Sequence, residues 1–90
     1  MNIRIAIADD HQMVINGIYT MLGDYPAIEI IAAYETGAAL LKGLEKETPD
    51  VLLLDIQLPD KTGDKLAPVI LRNHPEVRIL TLTNFDSAFY

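Results

Sequence analysis

Ninety residues are enough for one small domain with a modest hydrophobic core. Half of the residues are hydrophobic, which favours a packed globular chain over a disordered one. The formal net charge is −6 and the seven basic residues are scattered, so no basic stripe is present for sequence-independent binding to nucleic acid. The chain has no cysteine, which excludes disulfides, thiolate zinc sites and cysteine nucleophiles.

The N-terminal segment lacks the basic region and the long apolar core of a signal peptide. Acidic residues interrupt the apolar runs before they reach the ~20 residues that a membrane-spanning helix needs. We therefore expect a soluble, cytoplasmic protein that has no membrane partner.

The first part of the chain shows a strand pattern followed by a helix pattern. Ile3–Ala8 is apolar and β-branched and predicts a first strand. The helix predicted next ends at Pro26. Gly17, inside this helix, costs about 1 kcal/mol relative to Ala and so indicates a close packing contact. The predicted inner face of the helix comprises Val14, Ile18, Met21, Leu22 and Tyr25.

A second strand is predicted at Ile28–Ala33, and Thr36 is a suitable N-cap for a second helix that runs to about Lys46. Val51–Leu54 shows no alternation with polar residues and predicts a central strand that is covered on both faces. The inner face of the second helix comprises Leu40, Leu41 and Leu44.

The last predicted elements are a helix from about Asp64 to Asn73 and a strand at Arg78–Leu82. Pro68 would cost about 3 kcal/mol in the interior of this helix, so we expect the helix to start late or to bend. Asp86 or Ser87 is a candidate cap for one more helix. Strands and helices in alternation predict an α/β fold, with a parallel sheet covered by helices on both faces.

Polar residues follow three of the predicted strands. Asp9 and Asp10 follow the first strand, Asp55 follows the third, and Thr83-Asn84 follows the fourth. Ligands of open α/β sheets bind at the carboxyl ends of the strands, where these groups converge if the strands are neighbours. Three adjacent carboxylates repel one another unless a proton or a cation is bound, and Mg²⁺ suits oxygen ligands. A carboxylate beside Mg²⁺ can accept a phosphoryl group.

Each of these residues also has a simpler interpretation. A single Asp after a strand is usually a turn former or a helix N-cap, and both roles are open to Asp10 and Asp55. Two adjacent acids, with a third at another strand end, favour the metal site. His11 and His74 are interpreted as surface histidines, because neither has a second ligand at a suitable spacing.

Three segments resemble the receiver domains of two-component response regulators. They are Ile-Ala-Asp-Asp-His-Gln-Met-Val, Asp-Ile-Gln-Leu-Pro-Asp-Lys-Thr-Gly and Ile-Leu-Thr-Leu-Thr-Asn-Phe-Asp. The first and third look most like the NarL/FixJ subfamily, whose receivers usually precede a LuxR-type helix-turn-helix DNA-binding domain. The resemblance covers nearly all of residues 1–90. It implies a three-layer, flavodoxin-like, doubly wound parallel sheet with the strand order 2-1-3-4.

The resemblance also implies a role for each site residue. Asp55 would be the phosphoacceptor, and Thr83 would hydrogen-bond the phosphoryl group and act as a switch. Mg²⁺ (or Mn²⁺) would be held by Asp10 directly and by Asp9 through water. Asp55 and the backbone carbonyl of Gln57 would complete the metal site. The phosphoryl donor would be a sensor histidine kinase or a phosphotransfer protein. DNA would be bound only by an output domain that controls transcription.

The sequence departs from the family pattern at several points. Thr62 stands where Asp or Asn is usual, and Asn84 where a small residue is usual. Family receivers continue to a fifth strand that ends in a phosphoryl-binding Lys. The 90 residues stop before that strand, so we expect a fragment or an incomplete receiver domain. The fourth strand would then be an edge strand, and a homodimer through this edge is expected.

Three functions remain open at this point. The leading interpretation is a signalling module that assists the reaction at its own Asp55 and is not an enzyme with a separate substrate. A Mg²⁺-dependent phosphohydrolase with an aspartyl nucleophile would need an Asp as general acid where this chain has Gln57. A pseudo-receiver, which binds partners without being phosphorylated, is disfavoured by the three acids but kept open by the missing Lys.

Overall fold

The computed structural model describes residues 2–82, which form a four-stranded parallel sheet and three α-helices. The predicted strand order is confirmed as β2-β1-β3-β4. No helix in this part of the chain is long and apolar enough to cross a membrane. Thr83, Asn84 and the helix predicted after Asp86 or Ser87 lie outside the described residues. The elements are β1 (Ile3–Ala8), α1 (Gln12–Leu22), β2 (Ile28–Tyr34), α2 (Gly37–Lys46), β3 (Val51–Asp55), α3 (Gly63–Asn73) and β4 (Arg78–Leu82).

The strand order determines which face of the sheet each helix covers. From β1 the chain moves to β2 on one side, then returns past β1 to β3 and continues to β4. Because crossovers between parallel strands are right-handed, this reversal places α1 on one face and both α2 and α3 on the other. The reversal lies between β1 and β3. In sheets of this type, ligands bind at the carboxyl ends of the two strands that flank such a reversal.

The hydrophobic core cluster of the described residues lies between the sheet and the two helices α2 and α3. Thr36 caps α2, since its hydroxyl accepts the backbone N–H of Ala39 at 3.0 Å. Leu40 and Leu44 are fully buried, as predicted, and Leu41 is partly buried. The cluster comprises Ala6, Ala8, Leu40, Leu44, Leu52, Leu54, Leu58, Leu66, Ile70 and Val77.

The first helix differs from its prediction in both its extent and its buried face. It ends at Leu22, so Tyr25 lies beyond the helix and is exposed. Ile15, which the prediction omitted, is buried, whereas Val14 and Met21 are exposed. The helix has apolar residues on more than one side, so the periodicity by itself does not select the face that packs.

The close packing contact predicted at Gly17 is wrong. A Cβ atom at this position would meet no other atom of the described residues within 4 Å. Gly17 is exposed on α1, and no contact within the described part of the chain requires a glycine there. The cost of glycine to the helix is therefore not compensated by packing in residues 2–82.

The third helix begins at Gly63 and contains Pro68, so it does not start late, and the alternative, a bend at the proline, stays a prediction. Pro68 is exposed. The helix faces the core with Leu66 and Ile70, which are both fully buried. Burial of these side chains favours the helix despite the backbone hydrogen bond that proline cannot donate.

The third strand lies inside the sheet between β1 and β4, as predicted, but only one of its faces is fully covered. Leu52 and Leu54 on the α2–α3 side are fully buried. On the other side, Ile7, Leu53 and Leu80 are paired in a row across β1, β3 and β4. Their exposure rises along the row, from 0% at Ile7 to 59% at Leu80. In the described residues, cover on this face therefore decreases toward β4.

Candidate functional site

Acidic side chains meet at the carboxyl ends of β1 and β3, where the chain reverses its direction across the sheet. Asp9 and Asp10 follow β1, and Asp55 is the last residue of β3. The backbone N–H of Asp9 donates to the carbonyl of Tyr34 at 2.9 Å and so extends the pairing of β1 with β2. One donor atom from each of Asp9, Asp10, His11 and Asp55 lies within 4.8 Å of every other.

Asp9 is the most deeply buried acid of the cluster, with 5% of its side chain exposed. Its Oδ1 accepts the backbone N–H of His11 at 2.8 Å and lies 2.9 Å from Nδ1 of the His11 ring. The carboxylate therefore fixes the turn between β1 and α1. The backbone bond is the kind expected of an Asp turn former. The ring contact brings an imidazole into the acidic cluster.

Asp55 lies in an environment that disfavours its charge. Burial raises the pKa of its carboxyl group, and the nearby carboxylates of Asp9 and Asp10 raise it further. The backbone N–H of Gln57, which donates to Oδ1 of Asp55 at 3.1 Å, and the His11 ring act in the opposite direction. A bound cation would relieve both the repulsion and the desolvation of this carboxylate.

The loop after β3 is closed by backbone contacts that hold Asp55 in place. The N–H of Gly63 donates to the carbonyl of Ile56 at 2.8 Å, and Gln57 and Thr62 form an isolated antiparallel bridge. A Cβ atom at Gly63 would lie 3.0 Å from the Cα of Ile56 and 3.4 Å from the carbonyl oxygen of Asp55. A side chain at this position would therefore require the backbone of Ile56 and Asp55 to move by a few tenths of an ångström.

The donor chemistry of the cluster fits a divalent cation. Carboxylate oxygens are the preferred ligands of small hard cations such as Mg²⁺, and three of them converge here from two neighbouring strands. The side chain of Asp10 is 34% exposed and that of Asp55 is 10% exposed. The cluster is therefore buried on the side of Asp9 and open to solvent on the side of Asp10, where a ligand could enter.

The structure brings the predicted acids together, whereas the roles predicted for Gln57 and Thr83 stay predictions. Asp9, Asp10 and Asp55 converge as the sequence predicted. Gln57 is exposed next to Asp55, and its role as a metal ligand through the backbone carbonyl stays a prediction. The pairing of β4 places Leu82 opposite Asp55, and the following residue, Thr83, lies outside the described residues.

Sequence reasoning missed two residues of this region. His11 is exposed, as expected of a surface histidine, but its Nδ1 contacts the carboxylates of Asp9 and Asp10, which the sequence prediction did not anticipate. Asp60 accepts the backbone N–H groups of Gly37 and Ala38 at 2.7 and 2.9 Å. The short spacing from Asp9 to His11 was a visible signal for the first contact. No signal in the sequence joins Asp60 to residues more than twenty positions away.

Comparison of the sequence with known protein families and curated proteins identifies relatives whose family is the one that the sequence resembled. Residues 5–90 match the family described as the response regulator receiver domain. The chain is 34% identical over 88 residues to the transcriptional regulatory protein DegU of Brevibacillus brevis, covering 98% of this chain and 37% of DegU. It is 32% identical over 81 residues to the response regulator GacA of Pseudomonas viridiflava, covering 90% of this chain and 38% of GacA. The chain thus spans less than half the length of these relatives.

Solved structures show the same fold. The isolated REC domain of RcsB from Salmonella enterica serovar Typhimurium, determined with the phosphomimetic BeF3⁻, aligns with a TM-score of 0.87 and 34% identity. The alignment covers 98% of this chain and 67% of that one. A structure of two RcsB dimers bound to two parallel DNAs aligns with a TM-score of 0.87 and 31% identity, over 92% of this chain and 43% of that one. From its sequence, its fold and its relatives, the chain belongs to the response regulator receiver family, and its homologues are regulators of the NarL/FixJ type.

Proposed function

We propose that this chain is a cytoplasmic receiver module that accepts a phosphoryl group on Asp55 in a Mg²⁺-dependent reaction. The observation that supports it is the convergence of Asp9, Asp10 and Asp55 at the strand ends. The phosphoryl donor is a phosphohistidine on a sensor histidine kinase or a phosphotransfer protein. The chain assists this reaction on itself and has no separate substrate.

In the proposed reaction, one carboxylate oxygen of Asp55 attacks the phosphorus atom of the donor. A P–O bond to Asp55 forms as the P–N bond of the donor breaks, and the donor imidazole leaves with the electron pair. Asp55 is positioned by the backbone N–H of Gln57, and Gly63 closes the loop behind it. Mg²⁺, held by Asp10 and Asp55 and through water by Asp9, would neutralise the charge on the phosphoryl oxygens.

Two further residues are assigned within this proposal. The carbonyl of Gln57 is a metal ligand, and the hydroxyl of Thr83 donates to a phosphoryl oxygen. Phosphorylation replaces the single negative charge of the Asp55 carboxylate with the roughly two of a phosphoryl group, and this change biases the receiver toward an active state that releases or dimerises an output domain. The DNA-bound dimers of RcsB support an output that controls transcription in the full-length protein.

The test is phosphorylation of the purified chain by a small phosphodonor. We expect incubation with acetyl phosphate and Mg²⁺ to add one phosphoryl group, seen in the intact mass, and Asp55→Asn to remove the gain because it lacks the nucleophilic oxygen. Asp24→Asn is the matched control, since Asp24 is an exposed acid beyond the C-terminal end of α1. Chelation of Mg²⁺ should abolish the reaction of the unmodified chain.

Two results would contradict the proposal. A mass gain that persists in Asp55→Asn would place the phosphoryl group on another residue. No gain with any divalent cation would remove the phosphoacceptor assignment and favour the pseudo-receiver, which binds partners without phosphorylation. The phosphohydrolase has no support from the site, because the amide of Gln57 cannot serve as the general acid that this chemistry needs.

A further inference from the structure

His11 occupies a position in the acidic cluster that the phosphoryl-transfer reaction does not use. It precedes the first residue of α1 as its N-cap, but its side chain makes no capping hydrogen bond to the helix. The ring instead turns toward the carboxylates. Its Nδ1 lies 2.9 Å from Oδ1 of Asp9, 3.2 Å from Oδ1 of Asp10 and 3.9 Å from Oδ2 of Asp55.

These distances place one nitrogen donor among three oxygen donors. Opposite ligands of a single first-row metal ion lie about 4.0–4.4 Å apart, because each bond is about 2.0–2.2 Å long. The four donor atoms lie within 4.8 Å of one another, so a shift of a few tenths of an ångström would let one ion contact the donors of Asp10, His11 and Asp55, with Asp9 bound through water. The His11 side chain is 65% exposed, so the movement needs little repacking, and it exchanges the hydrogen bond of Nδ1 with Asp9 for a bond to the metal.

The nitrogen donor changes which ion the cluster prefers. Mg²⁺ binds oxygen and keeps several of its waters, so it gains little from an imidazole. Affinity for the later first-row ions rises toward Ni²⁺ and Cu²⁺, and imidazole is a favoured ligand of these ions. We propose that His11 is a fourth, nitrogen ligand of the cation site formed by Asp9, Asp10 and Asp55. It shifts the preference of this site from Mg²⁺ toward ions such as Co²⁺ and Ni²⁺. This inference rests on the proposed function only for the identity of the three carboxylate ligands.

The direct test is a comparison of metal affinities in the 90-residue chain and in His11→Ala. The hydrogen bond to Asp9 and the charge of Asp10 raise the pKa of His11, and the ring must lose its proton before it binds a metal, so calorimetric titrations are made at about pH 8 and repeated at about pH 9. We expect the variant to lose at least about tenfold in Co²⁺ and Ni²⁺ affinity, the lower end of what loss of even an outer-shell partner costs. The Mg²⁺ affinity should change by less than about twofold, because oxygen ligands dominate its binding. The backbone N–H that binds Asp9 remains in the variant, so the turn is kept.

His74→Ala is the matched control. His74 follows the C-terminal end of α3, at the opposite edge of the sheet from the cluster, and its removal should leave all the metal affinities unchanged. A second measurement identifies the ligand atom. The electron paramagnetic resonance spectrum of bound Cu²⁺ should show nitrogen coupling in the unmodified chain and in His74→Ala, and this coupling should be absent in His11→Ala.

The outcomes separate this inference from the proposed function. Equal Co²⁺ affinity in the unmodified chain and His11→Ala, or equal loss of Co²⁺ and Mg²⁺ affinity, would overturn the role of His11. A chain that binds none of these ions would overturn it as well. Phosphorylation by acetyl phosphate is measured independently on the same samples. A loss limited to Co²⁺ and Ni²⁺ would support the nitrogen ligand even in a chain that gains no phosphoryl group.

Discussion

Two glycines of this chain have opposite structural roles, and the same substitution should separate them. At Gly63 an added Cβ would press on the backbone of Ile56 and of Asp55, so Gly63→Ala should lower the free energy of unfolding by about 1–3 kcal/mol. The rate of phosphorylation by acetyl phosphate should fall as well, because the loop that holds the acceptor must move. Urea unfolding and the initial rate of mass gain measure the two effects.

Gly17→Ala is the control for this substitution. Since an added Cβ meets no described atom there, alanine should raise the free energy of unfolding by about 0.5–1 kcal/mol through its higher helix propensity. An unchanged stability in Gly63→Ala, or a loss in Gly17→Ala, would contradict the packing at these positions.

The acids were predictable from the sequence, and the contacts of His11 were not. Asp9, Asp10 and Asp55 each lie at or after the end of an apolar run, and a parallel sheet brings such positions to one edge. His11 was interpreted as a surface histidine because no second ligand stood at a suitable spacing, although its neighbours Asp9 and Asp10 were already candidate ligands. The direction of its side chain depends on the turn that Asp9 stabilises, and a linear pattern does not specify that direction.

At the scale of elements, the N-terminus of α2 is held by a loop from another part of the chain. Both carboxylate oxygens of Asp60 accept backbone N–H groups of α2, from Gly37 and Ala38, and these bonds lower the pKa of Asp60. A folded-state pKa below the unfolded value of about 3.9 means that the ionised carboxylate stabilises the fold above about pH 4. This contribution is lost as the pH falls through the folded-state pKa.

We therefore expect Asp60→Asn to lower the free energy of unfolding at pH 7 and to differ less from the unmodified chain near pH 3, where Asp60 itself becomes protonated. Urea unfolding at the two pH values measures this difference. Thr36→Ala removes the other cap of the same helix without changing an ionisable group. It should cost about 1 kcal/mol at both pH values. If Asp60→Asn lowers the free energy of unfolding by the same amount at both pH values, the charge of Asp60 does not contribute to stability.

The success of element prediction depended on whether a single face of each element is apolar. The second helix carries a capping Thr36 and one leucine-rich face, and its predicted start and end are both confirmed. The first helix has apolar residues on several sides, so its predicted face was only partly right: Ile18 and Leu22 are partly buried, but Val14 and Met21 are exposed. It also ends at Leu22, before the predicted end at Pro26. In α3, the burial of Leu66 and Ile70 in the core outweighs the cost of Pro68 to the helix. A prediction from local helix propensity counts only that cost and therefore favoured a late start or a bend.

At the scale of the whole molecule, the parallel sheet was predictable because strand and helix patterns alternate, and its strand order followed from the family resemblance. The incomplete cover of β3 was not predictable from the run Val51–Leu54. A run of apolar residues resembles a fully covered strand even where the neighbouring strand is exposed. In residues 2–82, β4 pairs only with β3, and Leu80 on β4 is 59% exposed.

We expect the chain to self-associate through β4, because an exposed apolar edge strand offers unpaired backbone groups to another chain. The sedimentation coefficient should rise with protein concentration, and Leu80→Lys should reduce this rise, since an edge lysine opposes strand pairing. Leu71→Lys is the control, because Leu71 is a comparably exposed leucine on α3. A monomeric profile at all concentrations, or an equal effect of both variants, would rule out association through this edge.

The central position of β1 also has a consequence during synthesis of the protein. β1 is translated before the other three strands of the sheet, yet Ile5 pairs with Ile30 on one side and with Val51 on the other. At about 5–20 residues per second, the ribosome needs several seconds to make the residues between Ile5 and Val51. During this interval the apolar first strand lacks its second neighbour, so the nascent chain is open to incorrect pairing until β3 has left the ribosome.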